Sequence, residues 1–205
     1  MKDKTILYIS YDGMTDPLGQ SQVIPYLREL STLGYSIDIL SAEKPQNYSE
    51  NNEIISKILS ENNIDWKPVF YTKKPPVLST IKDIRKLRKT AKKLMLENNY
   101  SIVHCRSYIA AFIGIYLKRK FKTKFLFDMR GFFADERVDG GLWRLSNPVY
   151  KCIYRYFKRI EISFFNEADH IISLTKAGKE EILRRPEHKN AKISVIPCCA
   201  DLNHF

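Results

Sequence analysis

Acidic residues are scarce in this 205-residue chain: 34 Lys+Arg stand against 23 Asp+Glu, a formal net charge of +11. Such a balance favours anionic partners, whether nucleic acid, acidic lipid or phosphorylated substrates, without choosing among them. Long apolar runs are missing too. No stretch approaches the eighteen apolar residues of a membrane span, and Ile6-Leu-Tyr-Ile is too short for the core of a signal peptide. The four cysteines, Cys105, Cys152, Cys198 and Cys199, form neither a CxxC pair nor a disulfide framework, and vicinal cysteines do not suit an unstrained bridge. The four histidines are scattered, so no zinc signature is legible. A reducing, cytosolic setting is the expectation. A GxGxxG fingerprint, internal repeats and low-complexity tracts are absent as well.

What is present alternates. Residues 5–10 (TILYIS) read as a buried strand, 11–19 as a glycine- and proline-bearing loop, and 20–34 as a helix with Val23, Ile24, Leu27 and Leu30 at helical spacing. A strand at 35–40 completes a βαβ unit. A short helix around Ile54–Leu59, a strand at 69–71 and the breaker Pro75-Pro76 follow. Further strands are predicted at 101–104, 124–127, 170–173 and 192–197, and helices at 109–117, 147–166 and 174–186. Asn147-Pro148 is a helix start with Pro at the first helical position. The pattern predicts an α/β fold: a Rossmann-like parallel sheet of six or seven strands with helices on both faces.

Two features bear on function. The helix predicted at 79–98 sets Ile81, Ile84, Leu87, Ala91 and Leu94 on one face against Lys82, Arg85, Lys86, Arg88, Lys89, Lys92 and Lys93, with only Asp83 opposing. A basic amphipathic helix can lie on an anionic membrane; it is equally the solvated side of a sheet-packing helix. The second feature is the stretch 125–141, FLFDMRGFFADERVDGG, an apolar strand that ends in Asp128, Arg130, Asp135, Glu136, Arg137 and Asp139. Gly131 and Gly140-Gly141 predict a loop there. Charges at the carboxyl end of a parallel strand face the ligand crevice, although an ion-pair knot pinning a long loop is the structural alternative. Asp128 is expected to hold the Arg130 guanidinium, with Asp135 and Glu136 as competitors, and Gly131 to leave room for a substrate. Gly19, at a helix start, is expected to let a ligand approach the backbone closely. Arg106 stands at the end of another strand.

Several of these pieces resemble, in order, the N-terminal half of family 4 glycosyltransferases. Residues 8–35 (YIS…DPLGQSQVIPYLRELSTLGY) resemble the family's first strand, loop and helix, and Val103-His104-Cys105-Arg106-Ser107 resembles its VHAHS strand end. Asp128-Met129-Arg130-Gly131 matches its HG strand end, residues 168–175 its AD-x-V-I-x-x-S/T strand, and 195–205 its VIPNGVDxxxF exit. Two positions depart: Arg130 replaces the histidine that contacts the donor sugar, and Cys198-Cys199 replace Asn-Gly.

The resemblance implies a retaining sugar transferase of two-Rossmann GT-B architecture. Residues 1–197 would be its acceptor-binding domain and 198–205 the start of the interdomain linker. The donor-binding domain lies outside the chain, so the chain alone is expected to be inactive. A nucleotide sugar is the implied co-substrate, a glycan or lipid-linked molecule the acceptor, and cell-surface polysaccharide synthesis the setting, on the cytoplasmic side and peripheral to a membrane. Neither metal, other cofactor nor nucleic acid is implied. Gly19 and Gln20 would floor the cleft near acceptor and donor phosphates, with Arg106 and Asp128 beside them. Arg130 would be the catalytic group and Gly131 would face the reacting sugar. Asp135, Glu136, Arg137 and Asp139 would meet sugar hydroxyls, and Ser173 and Thr175 would complete the rim. A basic nucleic-acid-binding module and a GT-B-type epimerase are the alternative readings.

Overall fold

Right-handed crossovers allow a chain of alternating strands and helices few arrangements. The computed structural model, which describes residues 4–72, 74–75 and 78–198, adopts one of them. Seven parallel strands lie in the order β3-β2-β1-β4-β5-β6-β7. They are β1 (Thr5–Ser10), β2 (Ser36–Glu43), β3 (Ile64–Phe70), β4 (Ile102–Arg106), β5 (Lys124–Asp128), β6 (His170–Ser173) and β7 (Ile193–Val195). The helices are α1 (Ile24–Thr32), α2 (Pro45–Glu61), α3 (Leu78–Glu97), α4 (Ser107–Phe121), α5 (Phe133–Asp139), α6 (Pro148–Glu167) and α7 (Lys176–Leu183).

Alternation along the strands sorts the core into two layers. Ile6, Tyr8, Ile37 and Ile39 pack with Leu27 of α1 and with Ile55 and Leu59 of α2 on one face. Leu7, Ile9, Val103, Cys105, Phe125 and Phe127 meet α3, α4, α6 and α7 on the other. Helix α4 is apolar nearly all round because it is the central helix of that larger layer. It also lies close to the sheet: a Cβ at Gly114 would come within 2.5 Å of the Phe125 ring and 2.7 Å of Cys105 Sγ.

Strands β1 and β6 have the bounds read from sequence; other boundaries move. β2 runs on to Glu43 because β3 begins at Ile64 and pairs with it up to Glu43–Phe70. Pro68 is tolerated because β3 is an edge strand. The polar segment before β3 folds as a 17-residue helix that buries only Ile55 and Leu59. The stretch after β5 is not all loop. Phe133–Asp139 fits a short helix before Gly140, with Asp135 and Glu136 in its first turn and Arg137 in its last, which suits the helix dipole.

On α3 the buried side is Ser79, Asp83, Leu87, Ala91 and Leu94, while Ile81 is 40% exposed. Asp83 is therefore no exposed counter-charge to the basic face, although Lys86 Nζ comes within 3.7 Å of its Oδ1. It turns inward and accepts from Tyr11 Oη (3.0 Å) and the Thr72 amide (2.9 Å), tying the ends of β1 and β3 to the helix. The basic residues of α3 are all exposed. Among the described residues no helix is long and apolar enough to cross a membrane. The exit motif beyond Cys198, Cys199 included, and Pro76 lie outside the described residues.

Glu43, fully buried at the end of β2, organises the loop after β1. Its carboxylate accepts from the amides of Met14 (2.7 Å) and Thr15 (3.1 Å) and from the hydroxyls of Thr15 and Ser41 (both 2.5 Å). Glu43→Ala leaves two buried amides without partners, which costs about 3 kcal/mol. The melting temperature should fall by roughly 6–12 °C. An unchanged melting curve would show that the loop is held by other means.

Candidate functional site

In an open parallel sheet the ligand crevice opens where strand order reverses, outside the carboxyl ends of the strands. Here that point lies between β1 and β4: from β1 the chain crosses to β2, and from β4 to β5 on the other side. The loop after β1 is fixed from below by Glu43 and at its side by Asp16, which accepts from Lys44 Nζ (2.7 Å) and Asn47 Nδ2 (2.5 Å). Gly19 is buried against this loop. A Cβ there would collide with the Gly13 carbonyl and Met14 Cα, so the close approach expected for a ligand is made by the chain itself. Gln20 is exposed and donates to the Thr15 carbonyl (2.9 Å).

A π-helical turn, Gly19–Val23, then leads into α1. Such turns insert one residue into the helical ladder and re-aim side chains, often at functional sites. Gln22, inside it, accepts at Oε1 from Nη2 of Arg106 (3.0 Å) and Nη2 of Arg130 (2.8 Å). Arg106 ends β4, is 4% exposed, and donates from Nε to Asp12 (3.3 Å). Asp128 ends β5 and lies 3.9 Å from Arg106 Nη1 and 3.8 Å from Arg130 Nη1. Charge without hydrogen bonding holds both guanidinium groups at these separations. Arg130 also donates to Cys198 Sγ (2.7 Å). Its φ is +63°, a conformation disfavoured for side-chain-bearing residues and found preferentially where a site demands it.

Beneath lies a buried polar layer. His104 Nε2 is 3.9 Å from Asp128, and among the described residues neither that nitrogen nor Asp128 Oδ1 has a hydrogen-bond partner. Tyr8 meets the His104 ring edge-on at 4.7 Å and Tyr26 at 6.0 Å. Burial, and after it the Asp128 charge, pushes the Tyr8 phenol far up and the Tyr26 phenol to about 12, so both remain neutral.

Beside this cluster a cleft of about 590 Å³ runs between the β5–α5 turn and the start of α7. Arg130, Gly131, Asp135, Glu136, Asp139, Ser173 and Thr175 line it, together with Lys158, Arg184 and Arg185. The space beside Gly131 is not open: the exposed Glu136 carboxylate occupies the position a Cβ would take. Asp135 accepts from Tyr154 Oη and Lys158 Nζ (both 2.8 Å). It therefore does not compete for Arg130. Lys158 also reaches the fully buried Glu161 (2.7 Å), which accepts from Tyr108 Oη (2.5 Å). Burial alone would lower the Lys158 pKa, but these two carboxylates outweigh it and raise it. Ser173 Oγ donates to the Thr175 carbonyl (3.0 Å), and Thr175 Oγ1 caps α7 by accepting from the Gly178 amide (3.0 Å), so both hydroxyls serve the fold. Arg137 lies over the Phe133 ring at 4.9 Å and is not on the cleft wall.

Sequence reasoning thus named Arg106, Asp128 and Arg130, which the fold brings together, but missed Asp12, Gln22, His104, Glu43 and Glu161. His104 stands in the VHCR strand end and was readable as a buried polar strand residue. Gln22 carries no such mark, because only the π turn directs it at the arginines. Among the described residues no three His, Cys, Asp or Glu side chains gather as metal ligands.

The two arginines should differ in stability. Arg106→Ala strips a buried cation from Asp12 and Asp128 and should cost about 3–5 kcal/mol. Arg130→Ala, at a side chain 21% exposed, should change stability by no more than about 1 kcal/mol. Paired thermal melts check this; equal losses would make Arg130 a structural staple.

Comparison with known proteins bears on this geometry. The family model described as Glycosyltransferase Family 4 matches residues 21–204. Among solved structures, sucrose-phosphate synthase of Thermosynechococcus elongatus superposes with a TM-score of 0.63 at 16% identity, covering 98% of this chain and 49% of that one. Phytolacca americana UGT2 gives 0.65 at 9% identity, covering 98% and 53%. Anabaena HepE, in complex with UDP and glucose, gives 0.57 at 12%, covering 97% and 45%. These likenesses show a shared fold, and the chain spans about half the length of each of them. No curated protein matches the chain. Its seven-stranded parallel sheet is the Rossmann-like α/β unit of GT-B glycosyltransferases, and the chain belongs to Glycosyltransferase Family 4.

Proposed function

We propose that the chain is the acceptor-binding half of a retaining glycosyltransferase, which moves a hexosyl-type sugar from a nucleotide-sugar donor to a glycan or lipid-linked acceptor in cell-surface polysaccharide synthesis. The observation that carries the reading is the cluster of Arg106, Gln22, Arg130 and Asp128 at the switch point of the sheet, which Arg130 joins to the neighbouring cleft of mixed charge. Exposed Glu136 and Asp139 on the cleft wall suit sugar hydroxyls, since carboxylates accept hydrogen bonds without donating. Solved structures of similar fold add support: HepE holds UDP and glucose, and UGT2 holds UDP-2-fluoro-glucose and pterostilbene.

On this reading Arg130 is the catalytic group. An arginine exchanges no proton at neutral pH, so its contribution is a fixed positive charge with directed donors, acting on charge that develops during transfer. A second domain beyond residues 198–205 would hold the nucleotide sugar as co-substrate, without metal or other cofactor. The 205-residue chain alone should then show no turnover, because half a cleft cannot hold donor against acceptor. In the full-length protein, Arg130→Ala should cut transfer from the preferred nucleotide sugar by roughly a hundredfold. Labelled-sugar transfer across a donor panel measures this, and full activity in the variant would remove Arg130 from the chemistry.

A peripheral position on the cytoplasmic side of an anionic membrane belongs to the same proposal. Helices α3 and α6 flank α4 on one face of the sheet. Helix α3 offers exposed Lys82, Arg85, Lys86, Lys89, Lys92 and Lys93, and α6 offers Lys151, Arg155 and Arg159. Exposed apolar groups accompany them: Leu142 at 59%, Val149 at 61% and Tyr156 at 54%. Each cation near such a surface contributes roughly 1 kcal/mol, so a handful gives measurable, salt-sensitive adhesion. Lys82, Lys89 and Lys92 form no ion pair among the described residues. Changing all three to Glu should reduce co-sedimentation with phosphatidylglycerol vesicles by about tenfold or more. Unaltered sedimentation would exclude α3 as the contact.

A further inference from the structure

The least expected contact in the site is the one at Gln22. Two guanidinium groups, carried by the ends of different strands, place one Nη2 each at 3.0 and 2.8 Å from a single neutral amide oxygen. We propose that Arg106, Arg130 and Gln22 form a binding site for an anionic group, a phosphate or a carboxylate, carried by a substrate of the transfer reaction, and that the Gln22 oxygen holds this site while it is empty. The inference rests on the glycosyl-transfer reading above and adds the chemical class of ligand.

Four observations carry it. Neither arginine can shed its charge, so both remain donors in every state. Of the two nearby carboxylates, Asp128 stands 3.8 and 3.9 Å from the nearest guanidinium nitrogens, beyond hydrogen-bonding distance, and Asp12 meets only Arg106 Nε. The two Nη2 donors thus meet a neutral acceptor, where an anionic oxygen would form bonds about twice as strong. Arg130 is held at φ +63°, which fixes the direction of its side chain against local preference. Asp128 Oδ1 and His104 Nε2, both buried, lack hydrogen-bond partners among the described residues, so the polar layer they form is incompletely satisfied. Access is by way of Arg130, which is part of the wall of the 590 Å³ cleft beside exposed Cys198; Arg106 is buried and does not line it. A glutamate at position 22 would close the pair permanently; a glutamine can be displaced.

The anion has two possible sources, the diphosphate of a nucleotide sugar or an acidic group on the acceptor. Titration calorimetry on the 205-residue chain, with inorganic pyrophosphate and UDP in one arm and glucose 6-phosphate and glucuronate in the other, separates them by which arm binds more tightly. Gln22→Ala removes the competing oxygen and should tighten anion binding several-fold, whereas Gln22→Glu supplies a tethered anion and should abolish binding while raising the melting temperature. Arg130→Ala should weaken binding about tenfold, as loss of one charge-assisted hydrogen bond does. Should Gln22→Ala fail to fold, the Gln22→Glu and Arg130→Ala variants decide the matter alone. No binding of any of the four anions to the unaltered chain, or binding indifferent to Gln22→Glu, overturns the proposal. In the full-length protein the two readings part. Sugar transfer that survives Gln22→Glu at full rate overturns this site but leaves the transferase reading standing. A complete absence of transfer alongside the expected anion-binding pattern overturns only the transferase.

Discussion

The Glu43 carboxylate is the contact on which the site's geometry depends. It is a buried anion at the end of β2, and it is stable there because four donors from the neighbouring loop and strand converge on it. Those bonds fix the backbone of Met14 and Thr15, and the fixed backbone leaves Gly19 as the residue that can sit against Gly13 and Met14. The helix therefore begins in a constrained place, through a π turn that places Gln22 between Arg106 and Arg130. A local change of charge at position 43 propagates to the crevice through backbone geometry, without any direct contact between Glu43 and the arginines.

Charge compensation sets the second layer of the site. Asp128 is shared by Arg106 and Arg130 at 3.9 and 3.8 Å, so each guanidinium is held there by field rather than by a directed bond. A shared counter-charge of this kind keeps two guanidinium groups close together while leaving their Nη2 hydrogens to Gln22. It also explains why Arg130 differs in kind from the histidine that the family resemblance leads one to expect there. Histidine can give and take a proton near neutral pH; arginine only holds a charge in place.

The fold was largely legible and the site only partly so, for physical reasons. β1 and β6 could be read to the residue because TILYIS and HIIS are apolar runs bounded by turn residues. α6 was marked by Asn147-Pro148, and Asn147 does cap it, accepting from the Val149 amide. β2 was read three residues short, since Ser41 and Glu43 look like a polar loop until the buried hydrogen bonds to Glu43 are known. Asp83 looked like the lone acid on a basic face, yet residue 83 falls one turn from Leu87 and turns inward to meet Tyr11 and Thr72. α5 was hidden by the glycines on either side, which end a seven-residue helix as readily as they punctuate a loop. Asp128 was read as the partner of Arg130, two residues on, but Asp12 and Gln22 could not be read as partners of the arginines: both are distant in sequence, and a π turn leaves no trace in composition.

The distribution of charge along the cleft constrains what it can select. Cations crowd the exposed sides of α3 and α6, while the cleft wall mixes signs: Asp135, Glu136, Asp139, Glu180 and Glu181 stand beside Arg130, Lys158, Arg184 and Arg185. An anion on that wall is drawn to Arg130, Lys158, Arg184 and Arg185 and repelled by the carboxylates. Hydroxyl groups, by contrast, can donate to the exposed members of the set. Arg130 belongs to the same cleft wall, and through Gln22 it is joined to Arg106. A ligand that satisfies both regions must carry donors along its length and acceptors, best of all charged ones, at one end. An arrangement of that polarity discriminates by position of charge rather than by net charge, which a uniformly basic pocket could not do.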